Sequence, residues 1–365
     1  MIDKISLGID ARPLSYGMTG NSRYLFEILK YLISRDSKFD FFLYSNKPVH
    51  KIFLPFFEQN NIKIKIQKGI GIYWLNYILP KILKSDNIQI FWGTLQLLPY
   101  FKLSIPSAVN YHDLNFISAP KTMSKTNFLQ HRIFSNKTLV NANTIFCLSQ
   151  NTLNDIVNYN PSVKNKLILI YPGVTKNENH NDAFVKEKYI FSIGTLEPRK
   201  NIKTIIDSYL LLKKDFPNFE YKLVIAGRLG WGEKKLTIQL KNNEFQKDGI
   251  IFIENPNEDI LSNLYKYCSL FVFPSIHEGF GLPLLEALSE QKVCIASNIP
   301  IFKEILDSEI DILVNPNNPI EWKNAILHCI QNQKITRSNL WNESEWTWEK
   351  TAKKIETELL KLKKL

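Results

Sequence analysis

Short apolar runs alternate with helical, amphipathic segments along the whole of this 365-residue chain, and the alternation stops once and then restarts. In the first stretch the runs 5–9, 41–44, 62–66, 88–92, 108–111, 144–148 and 167–170 read as strands, separated by periodic segments at 23–32, 73–83, 125–140 and 150–158. Residues 174–188 are rich in Asn and charge and poor in large apolar side chains, which reads as an interdomain linker. Strands resume at 189–193, 222–226, 250–253, 270–273, 293–296 and 312–314, with helices expected at 202–213, 259–267 and 283–289. Such alternation is the signature of parallel, doubly wound α/β sheets. Two Rossmann-like domains of similar size follow, binding ligands beyond the carboxyl ends of their strands, in a cleft where the domains face each other.

Composition narrows the class. The chain is 44% hydrophobic and 22% charged, with no low-complexity tract, which excludes a fibrous or mostly disordered protein. Its formal charge of +11 is uneven: residues 1–183 carry 21 basic and 11 acidic side chains, residues 184–365 carry 25 and 24. An anionic partner on the N-terminal half is implied, and nucleic acid, an anionic membrane face and a phosphorylated acceptor all fit. Cys147, Cys268, Cys294 and Cys329 form no CxxC pair, so buried thiols in a reducing cytosol are expected rather than zinc or disulfides. Asp3 and Asp10 interrupt the N-terminal apolar run, which therefore reads as a strand and not a signal peptide. No apolar stretch approaches the roughly 20 residues that span a bilayer. A cytoplasmic protein, soluble or peripheral on the membrane's inner face, is expected.

Four motifs carry chemistry. In FPSIHEGFGLPLLEA (273–287) an apolar strand runs into a loop with Gly279 and Gly281, and Pro283 stands where a helix would begin. The unpaired N–H groups and positive dipole end of that helix suit a phosphate. Glu278, before the helix, and Glu286, in its first turn, would be repelled by the same phosphate and are expected to accept hydrogen bonds from sugar and ribose hydroxyls. In FSIGTLEPRKN (191–201) a strand ends at Gly194, and Arg199 and Lys200 stand where the next helix begins, opposing its dipole unless they share an anion such as a diphosphate. His112 and Asp113 follow a strand directly, hence at its carboxyl end. In YGMTGNSRY (16–24), Gly17 and Gly20 precede a helix starting near Asn21 or Ser22; a phosphate or acceptor contact and a plain turn are equally open there.

These motifs, in this order, resemble the family 4 glycosyltransferases: retaining, sugar-nucleotide-dependent enzymes of GT-B fold. The resemblance runs through nearly the whole chain. It takes in SQNTLNDI (149–156), YPGV (171–174), LVIAGRLGW (223–231), WTWEKTA (346–352) and EGFGLPLLE (278–286), the last holding the family's two glutamates. GTLEPRKN (194–201) is most similar to the branch with bacterial mannosyl- and rhamnosyltransferases of surface polysaccharide assembly. The resemblance implies an N-terminal acceptor-side domain over 1–178, completed by a helix at 346–365 that crosses back to it, and a donor-binding domain over 184–345.

It further implies that Gly194, Thr195, Arg199 and Lys200 approach the donor diphosphate with the backbone amides of Phe280, Gly281 and Leu282, while Gly279 shapes the loop. Glu278 would bind the donor sugar's hydroxyls and Glu286 the ribose. His112 would lie beside the transferring sugar, with Gly17, Gly20 and Asp113 on the acceptor side. Thr195 stands where many relatives carry Arg, so phosphate binding leans on Arg199 and Lys200. A nucleoside diphosphate leaves readily, so the chemistry asks for fixed positive charge rather than a strong acid. A retaining glycosidase would use two carboxyls about 5–5.5 Å apart and has no need of the Arg–Lys pair. No Asp-x-Asp occurs, which argues against an essential divalent metal on the donor.

The donor is expected to be a nucleotide sugar, GDP-mannose ahead of dTDP-rhamnose or a UDP-sugar, and no other cofactor is required. The acceptor would be a glycan or a polyprenyl-diphosphate-linked glycan. Residues 70–84, with Tyr73, Trp74, Tyr77, Lys81 and Lys84, read either as an anchor on anionic lipid or as a core helix with a wet basic end. A nucleic-acid binder is disfavoured because the phosphate motifs lie in the nearly neutral half. An epimerase or phosphorylase on the same scaffold stays open.

Overall fold

The computed structural model describes residues 4–33, 37–175, 182–332, 337 and 341–364, so part of the expected linker, 176–181, lies outside the described residues. The chain forms two compact units, one of Met1–Gly173 with Ser344–Leu365 and the other of Val174–Glu343. The first holds β1 (Ile5–Asp10), β2 (Phe39–Ser45), β3 (Lys63–Ile66), β4 (Ile90–Gly93), β5 (Ser107–Tyr111), β6 (Thr144–Cys147) and β7 (Leu167–Leu169) in the order β3-β2-β1-β4-β5-β6-β7. The second holds β8 (Tyr189–Ile193), β9 (Lys222–Gly227), β10 (Ile250–Glu254), β11 (Leu270–Phe273), β12 (Cys294–Ser297) and β13 (Ile312–Val314) in the order β10-β9-β8-β11-β12-β13. All pairings are parallel, with Leu7 opposite Ile90 in one sheet and Phe271 opposite Phe191 in the other. Parallel strands are covered on both faces, which is why these runs read as unbroken apolar stretches.

The helices pack by their apolar stripes. In Gly20–Ile33, Leu25, Ile28, Leu29 and Leu32 recur at helical spacing and are all buried. Side-chain caps start the helices where the sequence offers Ser, Thr or Asn: Ser149 accepts from the Thr152 amide, Asn257 from Ile260, and Thr347 from Lys350. The last helix, Trp348–Leu362, belongs to the first unit, where Trp348 meets Tyr24 edge-on at 5.9 Å and Thr351 Oγ1 donates to the Tyr171 carbonyl at 2.7 Å. All four cysteines are free and buried. Among the described residues no helix is long and apolar enough to cross a membrane.

One helix differs from expectation. The segment expected over 73–83 breaks into Gly71–Tyr73, a π-turn at Trp74–Ile78 and Leu79–Ser85. Pro80 has no N–H to return to the preceding turn, and the Leu79 amide reaches back five residues to the Trp74 carbonyl. The widened turn keeps Trp74, Leu75, Leu79 and Leu83 buried while Tyr73 and Tyr77 face water. Trp74 is therefore core and not part of a surface anchor.

Candidate active site

In the second unit the chain lays down β8, moves outward to β9 and β10, and returns on the other side of β8 as β11. The loops after β8 and β11 therefore diverge, leaving the crevice where open α/β sheets bind ligands. Residues 194–201 and 274–281 are those two loops. On the β9 side the loop after β8 is so tightly packed that a Cβ on Gly227, at the end of β9, would lie 1.9 Å from the Gly194 carbonyl oxygen; only glycine fits there.

After β8 the chain makes one short turn, Pro198–Lys200, and Asn201 ends it at φ 53° before the helix Ile202–Asp215. Asn tolerates that left-handed backbone better than most residues. Its side chain also pins the turn: Nδ2 donates to the carbonyls of Pro274 (3.2 Å) and Pro316 (2.7 Å), and Oδ1 accepts from Thr204 Oγ1 (2.8 Å). The Ile276 amide donates to the Arg199 carbonyl at 2.9 Å, tying the two loops together.

Two cations consequently share one carboxylate. Arg199 Nη1 donates to Glu278 Oε2 at 2.6 Å and to the His277 carbonyl at 3.0 Å, while Lys200 Nζ donates to Glu278 Oε1. The other edge of the Arg199 guanidinium reaches Glu197 Oε1 from Nη2 and Nε at 3.0 and 3.2 Å. Burial alone would raise the Glu278 carboxyl, but Arg199 and Lys200 outweigh it and hold it at about 2. Lys200 is pulled below the usual ammonium range, by burial first and then by Arg199, against the attraction of Glu278.

The pattern corrects several expectations. Arg199 and Lys200 do not sit on a helix N-terminus; Asn201 separates them from it, and both turn toward Glu278. Of the two loop glycines, Gly281 alone has a left-handed backbone (φ 116°), which lets the chain enter the helix Leu282–Ser289 abruptly; Gly279 is not in that region. Pro283 is the second helical residue, and Glu286 the fifth, past the first turn, so it is no partner of the helix dipole. Thr195 lies in the loop two residues past β8, its carbonyl accepting from the Glu197 amide at 2.7 Å, and Phe280 is buried.

In the first unit the corresponding crevice lies between β1 and β4. Asp10, the last residue of β1, is fully buried and takes Arg12 at both oxygens, from Nε at 2.9 Å and Nη2 at 2.6 Å. The guanidinium lies 5.1 Å from the Trp74 ring centre. Burial opposes the Arg12 charge, yet the Asp10 contact raises its pKa overall. On β4's loop Thr94 Oγ1 donates to the Asp10 carbonyl at 2.5 Å.

The Thr94 carbonyl in turn takes a hydrogen bond from His112 Nε2 at 3.1 Å. A carbonyl only accepts, so Nε2 carries the proton and a neutral ring keeps its lone pair on Nδ1. Burial lowers the His112 pKa, favouring that neutral form. Asp113, by contrast, serves its own loop: it accepts from the Asn115 amide (3.1 Å), Asn115 Nδ2 (2.8 Å) and Gln96 Nε2 (3.2 Å).

The early glycines are less special than their spacing suggested. Gly20 is the first residue of its helix, which Thr19 starts by accepting the Ser22 amide at 3.2 Å, and Gly17's carbonyl accepts from Ser22 Oγ at 3.0 Å. Neither has a left-handed backbone. Asp10, which in sequence only breaks an apolar run, and Arg12, Thr94, Glu197 and Asn201 are site residues that no motif marks. A charge closing an apolar strand, followed two residues later by Arg, was the available signal for the first pair.

Residues 174–346 match the family described as glycosyl transferases group 1. The chain is 26% identical over 259 residues to the serotype-specific mannosyltransferase WbdA of Escherichia coli, covering 66% of this chain and 32% of WbdA, so it spans about a third of that relative. It is 25% identical over 261 residues to the O-antigen chain mannosyltransferase RfbU of Salmonella typhimurium, covering 71% of this chain and 69% of RfbU. Among solved structures, Anabaena HepE in complex with UDP and glucose is similar over 99% of this chain and 97% of its own, with a TM-score of 0.70 and 17% identity. The unit that brings Arg199, Lys200 and Glu278 together is thus the part of the chain that matches the group 1 glycosyl transferases, and the chain that carries it has the GT-B fold.

Proposed function

We propose that this chain is a retaining, metal-independent glycosyltransferase that takes a sugar from a nucleoside diphosphate, with GDP-mannose the favoured donor. The acceptor in this reading is a glycan, or a polyprenyl-diphosphate-linked glycan at the inner face of the cytoplasmic membrane, in lipopolysaccharide O-antigen, capsule or exopolysaccharide synthesis. The observation that carries it is the meeting of Arg199 and Lys200 on Glu278, across the crevice of the unit that matches the group 1 family. Mannose is favoured because WbdA and RfbU are named as mannosyltransferases.

An arriving diphosphate offers Arg199 and Lys200 more oxygens than Glu278 does, and a guanidinium grips two of them at once. As the cations move to the phosphates, Glu278 is released to accept hydrogen bonds from the sugar's hydroxyls. Before the donor arrives the two cations hold that carboxyl at about 2, so it enters the exchange ionised. Fixed positive charge, with the amides of Phe280, Gly281 and Leu282, stabilises the diphosphate as the anomeric bond breaks. Gly194, Thr195 and Gly279 let the backbone close on it, and Glu286 takes the ribose. On the first unit, His112 offers its Nδ1 lone pair to a hydroxyl, and Gly17, Gly20 and Asp113 shape the acceptor side.

A panel of nucleotide sugars tests the reading by thermal stabilisation, since a ligand that binds only the folded chain raises its melting temperature. GDP-mannose should give the largest shift, and labelled mannose should then pass to a lipid-linked acceptor with its anomeric configuration kept, in chelator as well as without. A panel that leaves the melting temperature unmoved would overturn the proposal; a larger shift with another nucleotide sugar would replace the donor.

A further inference from the structure

Between residues 59 and 154 the chain carries ten basic side chains and two acidic ones. Both acids are already engaged: Asp86 accepts from Tyr44 Oη at 2.7 Å and pairs with Lys65, and Asp113 holds Asn115 and Gln96. Lys81, Lys84 and Lys102 line a groove of about 360 Å³ together with Asn76, Pro80 and Phe101. Asn76 Oδ1 accepts the Tyr100 amide at 2.6 Å, fixing that loop against the π-turn. Among the described residues no carboxylate pairs with these three lysines. Lys137 Nζ stands 5.5 Å from the Tyr100 ring centre, and Lys166 is pulled down by burial and then by Lys102.

The same region is unusually apolar on its outside. Ile70 is 87% exposed, Phe101 74% and Tyr73 61%, with the Tyr73 and Tyr77 rings tilted against each other at 5.2 Å. The helix Lys125–Asn141, which meets the loop through Phe134 against Tyr100 at 5.6 Å, is turned against the usual rule. It buries Ser135, Thr138 and Leu139 and leaves Leu129, Ile133 and Val140 in water. A nucleic acid would use the lysines and gain nothing from Ile70, Leu129, Ile133 or Val140. A bilayer surface uses both, taking aromatic and aliphatic side chains into its interface and anionic headgroups against the lysines.

We propose that this face of the first unit docks on an anionic lipid bilayer, with Ile70, Tyr73, Tyr77 and Phe101 entering the interface and the Lys81–Lys84–Lys102 groove seating a headgroup phosphate. The proposal deepens the membrane-presented acceptor of the preceding reading and rests on it for purpose, but its charges and exposures are independent of the donor site.

Co-sedimentation of the full chain with phosphatidylglycerol–phosphatidylcholine vesicles, against phosphatidylcholine alone, tests it. The chain should bind the anionic vesicles and lose them at high salt. Lys81→Gln/Lys84→Gln/Lys102→Gln should weaken binding on the order of 100-fold, and Tyr73→Ser/Tyr77→Ser/Phe101→Ser should weaken it with little change in its salt dependence. Unchanged melting temperatures and nucleotide-sugar shifts would show that both variants fold and keep the donor site. Failure to prefer anionic vesicles, wild-type binding by the lysine variant, or capture of duplex DNA in place of vesicles would overturn the proposal. Displacement from vesicles by inorganic phosphate alone would also overturn it, making the groove a small-anion site. A chain that binds vesicles but no nucleotide sugar would instead overturn the transferase reading and leave this one standing.

Discussion

The two units place charge at the same point of the same topology, yet in opposite ways. In the first, Asp10 at the end of β1 and Arg12 two residues on neutralise each other one to one, with the guanidinium over Trp74. In the second, Arg199 and Lys200 come from one loop and Glu278 from another, 78 or more residues away; both cations meet on that carboxylate, and Arg199 also holds Glu197 of its own loop. A local, balanced pair has nothing to gain from a ligand and serves to set its loop. A cluster drawn from two loops of the crevice can be rearranged by an incoming anion, because Arg199 keeps Glu197 while Glu278 turns to the ligand's hydroxyls. The contrast separates a structural ion pair from one arranged to be exchanged.

The sharpest way to break it is Asp10→Asn. Removing one partner of a buried pair strands the other, so we expect a loss of about 3 to 5 kcal/mol in unfolding free energy. Nucleotide-sugar stabilisation of the second unit should persist. Loss of donor binding at unchanged melting temperature would reverse the assignment. Lys200→Met should behave the other way. Glu278 keeps Arg199, and the buried ammonium is lost, so the melting temperature should hardly move or should rise. Transfer should fall on the order of 100- to 1000-fold, the scale of losing one fixed charge at a site where negative charge develops. Steady-state transfer and thermal melts together decide it.

Acid supplies a third test, directed at Glu278. Its carboxyl is depressed in the folded chain from an ordinary 4.5 to about 2, so its contribution is fully present above about pH 4.5 and is lost as pH falls toward 2. The shift corresponds to on the order of 3 kcal/mol. Glu278→Gln should be less stable than the wild type by that order near neutrality, with the gap closing through this window. A gap that stays constant from pH 6 to pH 2 would show that the carboxylate's charge is not what the cations hold.

Much of this was legible beforehand, for physical reasons that also mark where legibility ends. Strands buried on both faces announce themselves as apolar runs, so both sheets could be read from the chain. Glu278, Arg199 and Lys200 could be picked out because charges beside strand ends and glycines are conspicuous. Their mutual pairing could not, since nothing local in sequence joins Lys200 to a residue 78 positions on. Pro80's effect is invisible in the sequence pattern because its neighbours keep helical periodicity while the backbone gains a wide turn. The helix Lys125–Asn141 was recognised as a helix, but which of its faces is buried depends on packing that the periodicity did not fix.

The smallest expected effect probes how the first unit's pair reaches beyond its own loop. Thr94 joins Asp10 to His112: its hydroxyl donates to the Asp10 carbonyl, and its own carbonyl holds the Nε2 proton. Thr94→Val keeps the shape and the carbonyl and removes the hydroxyl alone, at a cost of about 1 kcal/mol for one buried hydrogen bond. If Thr94 merely stabilises the loop, transfer per folded molecule stays at the wild-type value and shows the same pH profile. If it positions His112, the β4 loop relaxes and the tautomer is no longer enforced. The acidic limb of the profile should then shift toward higher pH, since a ring freed from burial regains affinity for its proton. A Ser in place of Val should restore the profile, because it returns the donor without the methyl group.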